Sequence, residues 1–468
     1  MTFPHIARQR LVVLTDIGGG LENDDIQSMA RLLLYADGID LEGLVAVTSC
    51  WQRRGGRPKH AALIRRLIDR YAAVLPHLRE HSSEYPDATF LHSLVTTGVP
   101  VFGAGPGSGF GQSRFDAVPG VQLLVKALTS EDARPLWVAL WGGANTLAQA
   151  LWMLERSETP GDLAEILSKL RVHAISDQDA GGHWIRDHFG ERIFTIVSPS
   201  PAVGDDHYRF ATWPGISADS FTHGSDDGVG GGGFGGADAS LVSRKWIRAN
   251  IRQGKYGRGY PLHRYLMEGD TPSFLGLIPN GLNVPERPDL GGWGGRYEYR
   301  IPTGSRGGRR ERAPIWTETS DTVTGIDGEI RTSPQASIWR WRNDFQNDFA
   351  ARIRWTTAPR YDGANHPPRA LLAHADVLDV DAGELVVLDA GPSVDPDGDA
   401  LTFRWSMYPE LDAAPSTAMV TDGPRCRVHV AEGLEGATLH VVVAVSDDGT
   451  PPLTAYRRVT LRVNARRS

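Results

Sequence analysis

Leu11-Val12-Val13-Leu14-Thr15-Asp16-Ile17-Gly18-Gly19-Gly20-Leu21-Glu22-Asn23-Asp24-Asp25 is the stretch on which the reading of this chain turns. A continuous apolar run ends in an acid, a glycine-rich loop follows, and two adjacent acids open a new pattern. That pattern has apolar residues at Ile26, Met29, Ala30, Leu33 and Leu34. The run suits a buried strand over residues 10–15, and the later spacing predicts a helix with one buried face. Asp24 and Asp25 fall at the helix start, where acids suit both capping and the helix dipole. Asp16, Glu22, Asp24 and Asp25 put four carboxylates within ten residues at a strand-to-helix turn. Such a group repels itself unless a cation sits among its members. Oxygen donors without a nearby Cys or His suit calcium or magnesium better than zinc. The competing reading needs no metal: Asp24 caps the helix, Asp16 makes a turn hydrogen bond, and Glu22 points to solvent.

Working outward, the strand-helix alternation continues. Residues 41–48 form another continuous apolar run, and residues 58–75 a second amphipathic helix. Strands are expected over 136–140, 170–176 and 192–197, with helices over 121–128, 145–154 and 183–189 between them. This order predicts an α/β fold, a mostly parallel sheet flanked by helices. Ligands then bind beyond the carboxyl ends of the strands, in the loops after Thr15, Thr48, Leu140, Ser176 and Val197. Helices are also expected over 239–251 and 337–355. Residues 361–368 read as a linker, and beyond them short β-rich runs at 384–388, 401–405, 425–430, 438–446 and 456–463 predict an all-β, Ig-like sandwich. The division expected is a large domain over residues 1–360 and a sandwich over 361–468.

Bulk properties narrow the functions. A net charge of −7 gives no electrostatic reason to expect nucleic acid. No run approaches the roughly 20 apolar residues that cross a bilayer, so membrane insertion is not expected. The first residues lack a signal-peptide core. A cytoplasmic protein and a secreted or periplasmic one in mature form both stay open. Cys50 and Cys426 lie in different expected domains, so a disulfide between them is not expected, and two cysteines cannot make a Cys-rich zinc site. Thirteen tryptophans are many. Their rings can stack on sugars, although core packing is their commoner use.

Three further segments fall on the same expected rim. Trp141-Gly142-Gly143-Ala144-Asn145 follows one strand, and Ser176-Asp177-Gln178-Asp179-Ala180-Gly181-Gly182-His183-Trp184 follows the next. The second packs acids, amides, a His and a Trp together, a mixture suited to binding hydroxyls and stacking a ring. Glu268-Gly269-Asp270-Thr271-Pro272-Ser273 sets further acids at another helix start. The long irregular segment 269–299, which contains Trp293, has the aromatic content of a functional loop. Gly-rich residues 224–236 contain no Lys-Ser/Thr pair, which argues for a surface loop rather than a phosphate cradle. Asp395-Pro396-Asp397-Gly398-Asp399 and Asp447-Asp448-Gly449 are acidic turns able to take calcium, with turn formation alone the simpler account.

On these residues the chain resembles the nucleoside-hydrolase superfamily, and more closely its carbohydrate-associated branch often labelled cellulose-binding. The resemblance runs over residues 8–355, with an Ig-like domain appended. It is carried by Leu14-Thr15-Asp16 with Asp24-Asp25, by Trp141-Gly142-Gly143-Ala144-Asn145-Thr146-Leu147-Ala148, by Ser176-Asp177-Gln178-Asp179, by Glu268-Gly269-Asp270-Thr271-Pro272-Ser273 and by Gly291-Gly292-Trp293-Gly294-Gly295-Arg296. It implies a calcium ion held by Asp16, Asp25, the Trp141 carbonyl and Asp270, with Asp24 binding sugar hydroxyls. It also implies hydrolysis of a glycosidic bond by a metal-activated water that Asp16 deprotonates. Asn145, Gln178, Asp179, Trp184 and Trp293 are the expected substrate contacts.

The chain also departs from that pattern. Leu14 replaces the superfamily's first aspartate, the loop before Asp24-Asp25 is longer, and Gly269 stands where a His often assists the leaving group. His183 and Glu268 are the candidate substitute acids. The expected substrate is therefore a glycan fragment or glycoside rather than a nucleoside. A non-catalytic carbohydrate binder and an N-ribosyl hydrolase are the alternatives. Related hydrolases often associate, so a homo-oligomer is a further expectation.

Overall fold

Strand β1 (Gln9–Thr15) is buried along nearly its whole length because both of its faces are covered. Leu11 and Val13 enter one apolar core, and Val12 and Leu14 enter another on the opposite side. Alternate side chains of a strand point to opposite faces, so a continuous apolar run is what a sheet with two covered faces requires. The structure is a computed structural model that describes residues 8–18, 23–103, 107–199, 211–217, 236–263, 265–302, 311–411 and 418–465. Glu22 and all but Gly236 of the Gly-rich segment 224–236 lie outside the described residues.

The elements around β1 follow in chain order. They are α1 (Asn23–Leu33), β2 (Ile39–Ala46), α2 (Pro58–Ala72), α3 (Leu75–His81), α4 (Ala88–Ser93), β3 (Val95–Thr97), α5 (Pro119–Leu128), β4 (Leu136–Leu140), α6 (Asn145–Ser157), α7 (Pro160–Lys169), β5 (Leu170–Ala174), α8 (Ala180–Phe189) and β6 (Phe194–Val197). Two later strands, β7 (Tyr297–Arg300) and β8 (Ile315–Glu318), complete an eight-stranded sheet of order β3-β2-β1-β4-β5-β6-β8-β7. All neighbours are parallel except β7 on β8. The chain winds outward from β1 through β2 to β3, then restarts at β4 and winds the other way. The reversal lies between β1 and β4, which pair from Arg10↔Leu136 to Leu14↔Leu140. A reversal of this kind opens a crevice at the carboxyl ends of the two strands. Asp16 and Trp141 are the residues just beyond those ends.

Two helical expectations are modified. Residues 239–251 form a 3₁₀ turn (Ala239–Val242), a short helix (Arg244–Trp246) and a π-helical turn (Ile247–Ile251). The expected 337–355 helix is broken into Ala336–Trp339 and Arg342–Trp355. Among the described residues, no helix is long and apolar enough to cross a membrane.

A hairpin of β9 (Asp321–Thr324) and β10 (Ile330–Ser333) precedes the C-terminal strands. These are β11 (Val377–Val380), β12 (Leu385–Asp389), β13 (Thr402–Met407), β14 (Ala418–Asp422), β15 (Arg425–His429), β16 (Thr438–Ser446) and β17 (Thr454–Val463). They form two sheets, β11-β17-β16-β13 and β12-β15-β14, around a core of Trp405, Val441, Val443 and Val445. The other face of β16 and β17 is apolar as well. Val442, Ala444 and Tyr456 join the core of the large sheet. Tyr408 donates to Asp321 at 2.7 Å, and Arg458 donates to the Leu290 carbonyl at 2.8 Å. The sandwich is thus packed onto the large domain through a buried seam.

Candidate functional site

One face of α1 builds most of the site. Residues 24, 27, 28 and 31 recur at three- and four-residue spacing and therefore line up. Gln27 accepts the Met267 N–H at 2.7 Å and donates to the Pro261 carbonyl at 3.1 Å. Ser28 accepts from the Thr271 hydroxyl at 3.1 Å, and Arg31 pairs with Glu268 at 2.7 Å. These contacts bring residues 267–271 against the first turns of α1, with Asp270 beside Asp24 and Asp25. One carboxylate oxygen from each of those three aspartates lies within 4.8 Å of the others.

Asp25 and Asp270 are almost wholly buried, and Asp24 is half-buried. Asp25 accepts from the Thr15 hydroxyl. Burial pushes its carboxyl well above the usual range, and the charges of Asp16, Asp270 and Asp24 push it further. Asp24 is raised by burial against the pull of backbone N–H groups. Asp16, also buried, accepts from the Ser49 hydroxyl just beyond β2. Its close neighbour is Gly142, where a Cβ would stand 2.8 Å from the Asp16 Cβ. A buried Asp25 crowded by the charges of Asp16, Asp270 and Asp24 is an unfavourable arrangement for the bare chain, and a cation relieves it.

The donor set fits a hard ion. The clustered ligand atoms are carboxylate oxygens, and no His or Cys belongs to the group among the described residues. The Trp141 carbonyl accepts the Gln178 side-chain N–H at 2.8 Å, and a carbonyl keeps a second lone pair. Asp24 Oδ1, Asn145 Oδ1 and Gln178 Oε1 are shielded from solvent without a hydrogen-bond partner among the described residues. Buried acceptors of that kind are rare unless a ligand satisfies them.

The remaining sequence candidates are engaged in contacts of their own. Asp179 is a clamp: its carboxylate accepts the N–H groups of Ala144 at 3.0 Å, Asn145 at 3.0 Å and Gly181 at 2.8 Å. A Cβ at Gly143 would stand 2.1 Å from Asp179 Oδ2, so glycine is required there. His183 pairs with Asp177 at 3.0 Å, and Asp177 pairs with Arg186 at 2.9 Å. Burial acts to raise Asp177, but Arg186 and His183 hold it well below the usual carboxylate range. Glu268 is fully buried against Arg31 and also accepts from Tyr260 and Thr271; burial raises its carboxyl against the pull of Arg31. Trp184 is half-buried and stacks on His188, with ring centroids 4.9 Å apart. Trp293 is 1% exposed and donates to the Tyr456 hydroxyl at 3.3 Å, which places it in the seam between the domains.

Ser49 belongs to no motif of the sequence, although it lies in the loop that follows β2. Trp51 lies beside Ser49. It is 51% exposed, and its N–H donates at 3.0 Å to the same Ser49 oxygen that serves Asp16.

The family described as "Cellulose-binding Sde182, nucleoside hydrolase-like domain" matches residues 10–297. The chain belongs to this family. The family "Cellulose-binding protein Sde0182, C-terminal domain" matches residues 385–463, within the sandwich. Among solved structures, a nucleoside hydrolase-related protein from Saccharophagus degradans associated with carbohydrate metabolism is 29% identical, with a TM-score of 0.77. That match covers 98% of this chain and 100% of the other. Cadherin fragments of protocadherin gamma B2 (21% identity, 21% of this chain and 25% of that one) and human CDH23 (20% identity, 21% and 35%) reach TM-scores of only 0.16 and 0.15, too little to bear on fold or function. No curated protein sequence matched the chain significantly.

Proposed function

We propose that the large domain is a cation-dependent hydrolase of a glycosidic bond in a carbohydrate, with calcium as its ion. The observation that carries this reading is the burial of Asp25 among Asp16, Asp24 and Asp270 at the reversal point of the sheet. The ion would be held by Asp25, Asp270, Asp16 and the Trp141 carbonyl, and when bound it would supply Lewis-acid stabilisation of charge on oxygen. Asp16, fixed by Ser49, is the carboxylate placed to take a proton from an attacking water. Asp24, Asn145 and Gln178 offer their unfilled acceptor oxygens to sugar hydroxyls. The exposed ring of Trp51 offers a surface for a sugar face. The carbohydrate association of the Saccharophagus protein and the cellulose-binding description of the family support this substrate class.

A second reading, carbohydrate binding without catalysis, is favoured by one observation: His183 and Glu268 are both buried and already engaged, by Asp177 and Arg31, so neither side chain is open to a leaving group. One experiment separates the two readings. Aryl glycosides, furanosides, cello-oligosaccharides and nucleosides are assayed for product with calcium and after chelation, alongside calorimetric sugar binding. Product that disappears on chelation and in Asp16→Ala supports the hydrolase. Saturable binding without product makes it a binder, and inosine or uridine turnover would make it an N-ribosyl hydrolase.

A further inference from the structure

The sandwich carries a second group of acids that the site above does not use. Asp395, Asp397 and Asp399 alternate along one turn, and an oxygen from each lies within 4.8 Å of the others. Three acids in an exposed turn need no ion by themselves. The deciding observation comes from Asp447, just past the end of β16, which is only 4% exposed. Its Oδ1 accepts from the Leu453 N–H at 2.9 Å, the Gly449 N–H at 3.0 Å and the Asn365 side chain at 3.0 Å. Its Oδ2 is closed off from solvent and has no hydrogen-bond partner among the described residues. The two loops adjoin, since the Ala400 N–H donates to Asp448 at 2.8 Å, and Asp395, whose charge bears on Asp447, has an Oδ2 that is likewise enclosed and unpartnered.

Protein cations do not resolve this. Among the described residues, no Lys or Arg forms an ion pair with Asp395, Asp399 or Asp447, and Asp397 pairs only with His366, at 3.0 Å. A buried carboxylate oxygen with neither donor nor counter-charge is costly, and a bound cation removes that cost. We propose that Asp395, Asp397, Asp399 and Asp447 hold one hard divalent cation of the calcium class. All four donors are carboxylates, and they come from two separate loops of a surface edge, which suits an ion that accepts irregular oxygen coordination. The position gives the ion a second consequence. Asn365 and His366 lie in the segment that enters the sandwich, and His366 is 2.9 Å from His81 at the end of α3. The ion would therefore stiffen the joint between the domains.

The test is calcium calorimetry and terbium luminescence on the full chain. Tyr361 stacks on His366 with centroids 3.7 Å apart and supplies a nearby sensitiser. Wild type should show a saturable terbium signal displaced by calcium, with a dissociation constant on the order of 10⁻⁴ to 10⁻³ M, the range of extracellular modules. The double variant Asp395→Asn/Asp399→Asn should lose one equivalent of calcium and the signal excited through Tyr361, whatever binds at the large-domain cluster. If the double variant fails to melt cooperatively, Asp399→Asn alone is measured, because its half-exposed side chain makes folding tolerant of the change. For that variant a weakening of calcium binding of tenfold or more is expected. Unchanged stoichiometry, affinity and emission in a folded variant would overturn the proposal, as would an absence of terbium emission in wild type at millimolar ion.

Discussion

Asp179 accepts the backbone N–H of Asn145 at 3.0 Å, so the loop carrying Trp141 is fixed by an acid from the next strand-helix connection. The same carboxylate takes the N–H groups of Ala144 and Gly181. Burial pushes Asp179 up to about 7 in spite of these three donors. The folded protein then retains a proton that the unfolded chain releases, and the sign follows. This contribution to stability is full below about pH 4 and is lost as pH rises through about 7. Wild-type melting temperature should fall from pH 5 to pH 8, and Asp179→Asn should show a smaller fall. Equal slopes in thermal melts would count against the assignment. Asp179→Ala, which strands three N–H groups, should cost about 3 kcal/mol in urea unfolding.

Asp25→Asn separates stability from function. The change preserves shape and leaves an oxygen for the Thr15 hydroxyl, but it removes the buried carboxyl on which the charges of Asp16, Asp270 and Asp24 bear. The ion-free protein should gain about 1 kcal/mol, as expected when a functionally strained position is relaxed. Calcium affinity should fall at least a hundredfold, with any turnover falling alongside. Urea unfolding in chelator and calorimetry in calcium read the two effects. A variant that is less stable without calcium yet binds it normally would contradict the site.

Glu268→Gln should behave in the opposite way. It leaves Arg31 at 0% side-chain exposure, held by Gln346 at 2.5 Å and the Phe349 ring at 4.0 Å but without its counter-charge. Breaking such a pair costs about 3–5 kcal/mol. Chemical denaturation should show that loss, while calcium binding per folded molecule stays near the wild-type value. Full stability combined with abolished turnover would restore Glu268 as an acid.

The contrast between these two acids shows what sequence can carry. Asp24 and Asp25 were legible because a local signal sets them: an apolar run, a glycine break and a helical period, all within a few residues. The sheet was legible for the same reason, since each strand is buried on both faces and reads as a continuous run. Glu268 depends on Arg31, far away in the chain, and no local pattern distinguishes a buried partner from an open acid. The antiparallel β7 and its neighbour β8 were missed because they lie in and beyond a segment rich in Gly and Pro, where period-two alternation is short. Asp179 and His183 follow β5 on the rim, but their contacts are with backbone N–H groups and with Asp177, which composition does not show.

Trp51 and Trp293 test the same point on one residue type. In the sequence the tryptophan of the irregular 269–299 segment looked like the sugar platform, but its ring contacts Phe345 and Tyr456 within the seam, with centroids 6.4 and 6.3 Å away. Trp293→Ala should therefore cost about 3–5 kcal/mol, as large-to-small core changes do. It should also loosen the sandwich, read as faster cleavage of the interdomain segment in limited proteolysis. Trp51 is exposed and holds little of the fold, so Trp51→Ala should change stability by less than about 0.5 kcal/mol. Sugar affinity should respond the other way. Calorimetry should show a loss of about tenfold for Trp51→Ala, consistent with an aromatic contact worth about 1 kcal/mol beyond its area. For Trp293→Ala, the folded fraction should bind sugar as wild type does. Equal sugar affinity in wild type and Trp51→Ala would move the platform away from the end of β2.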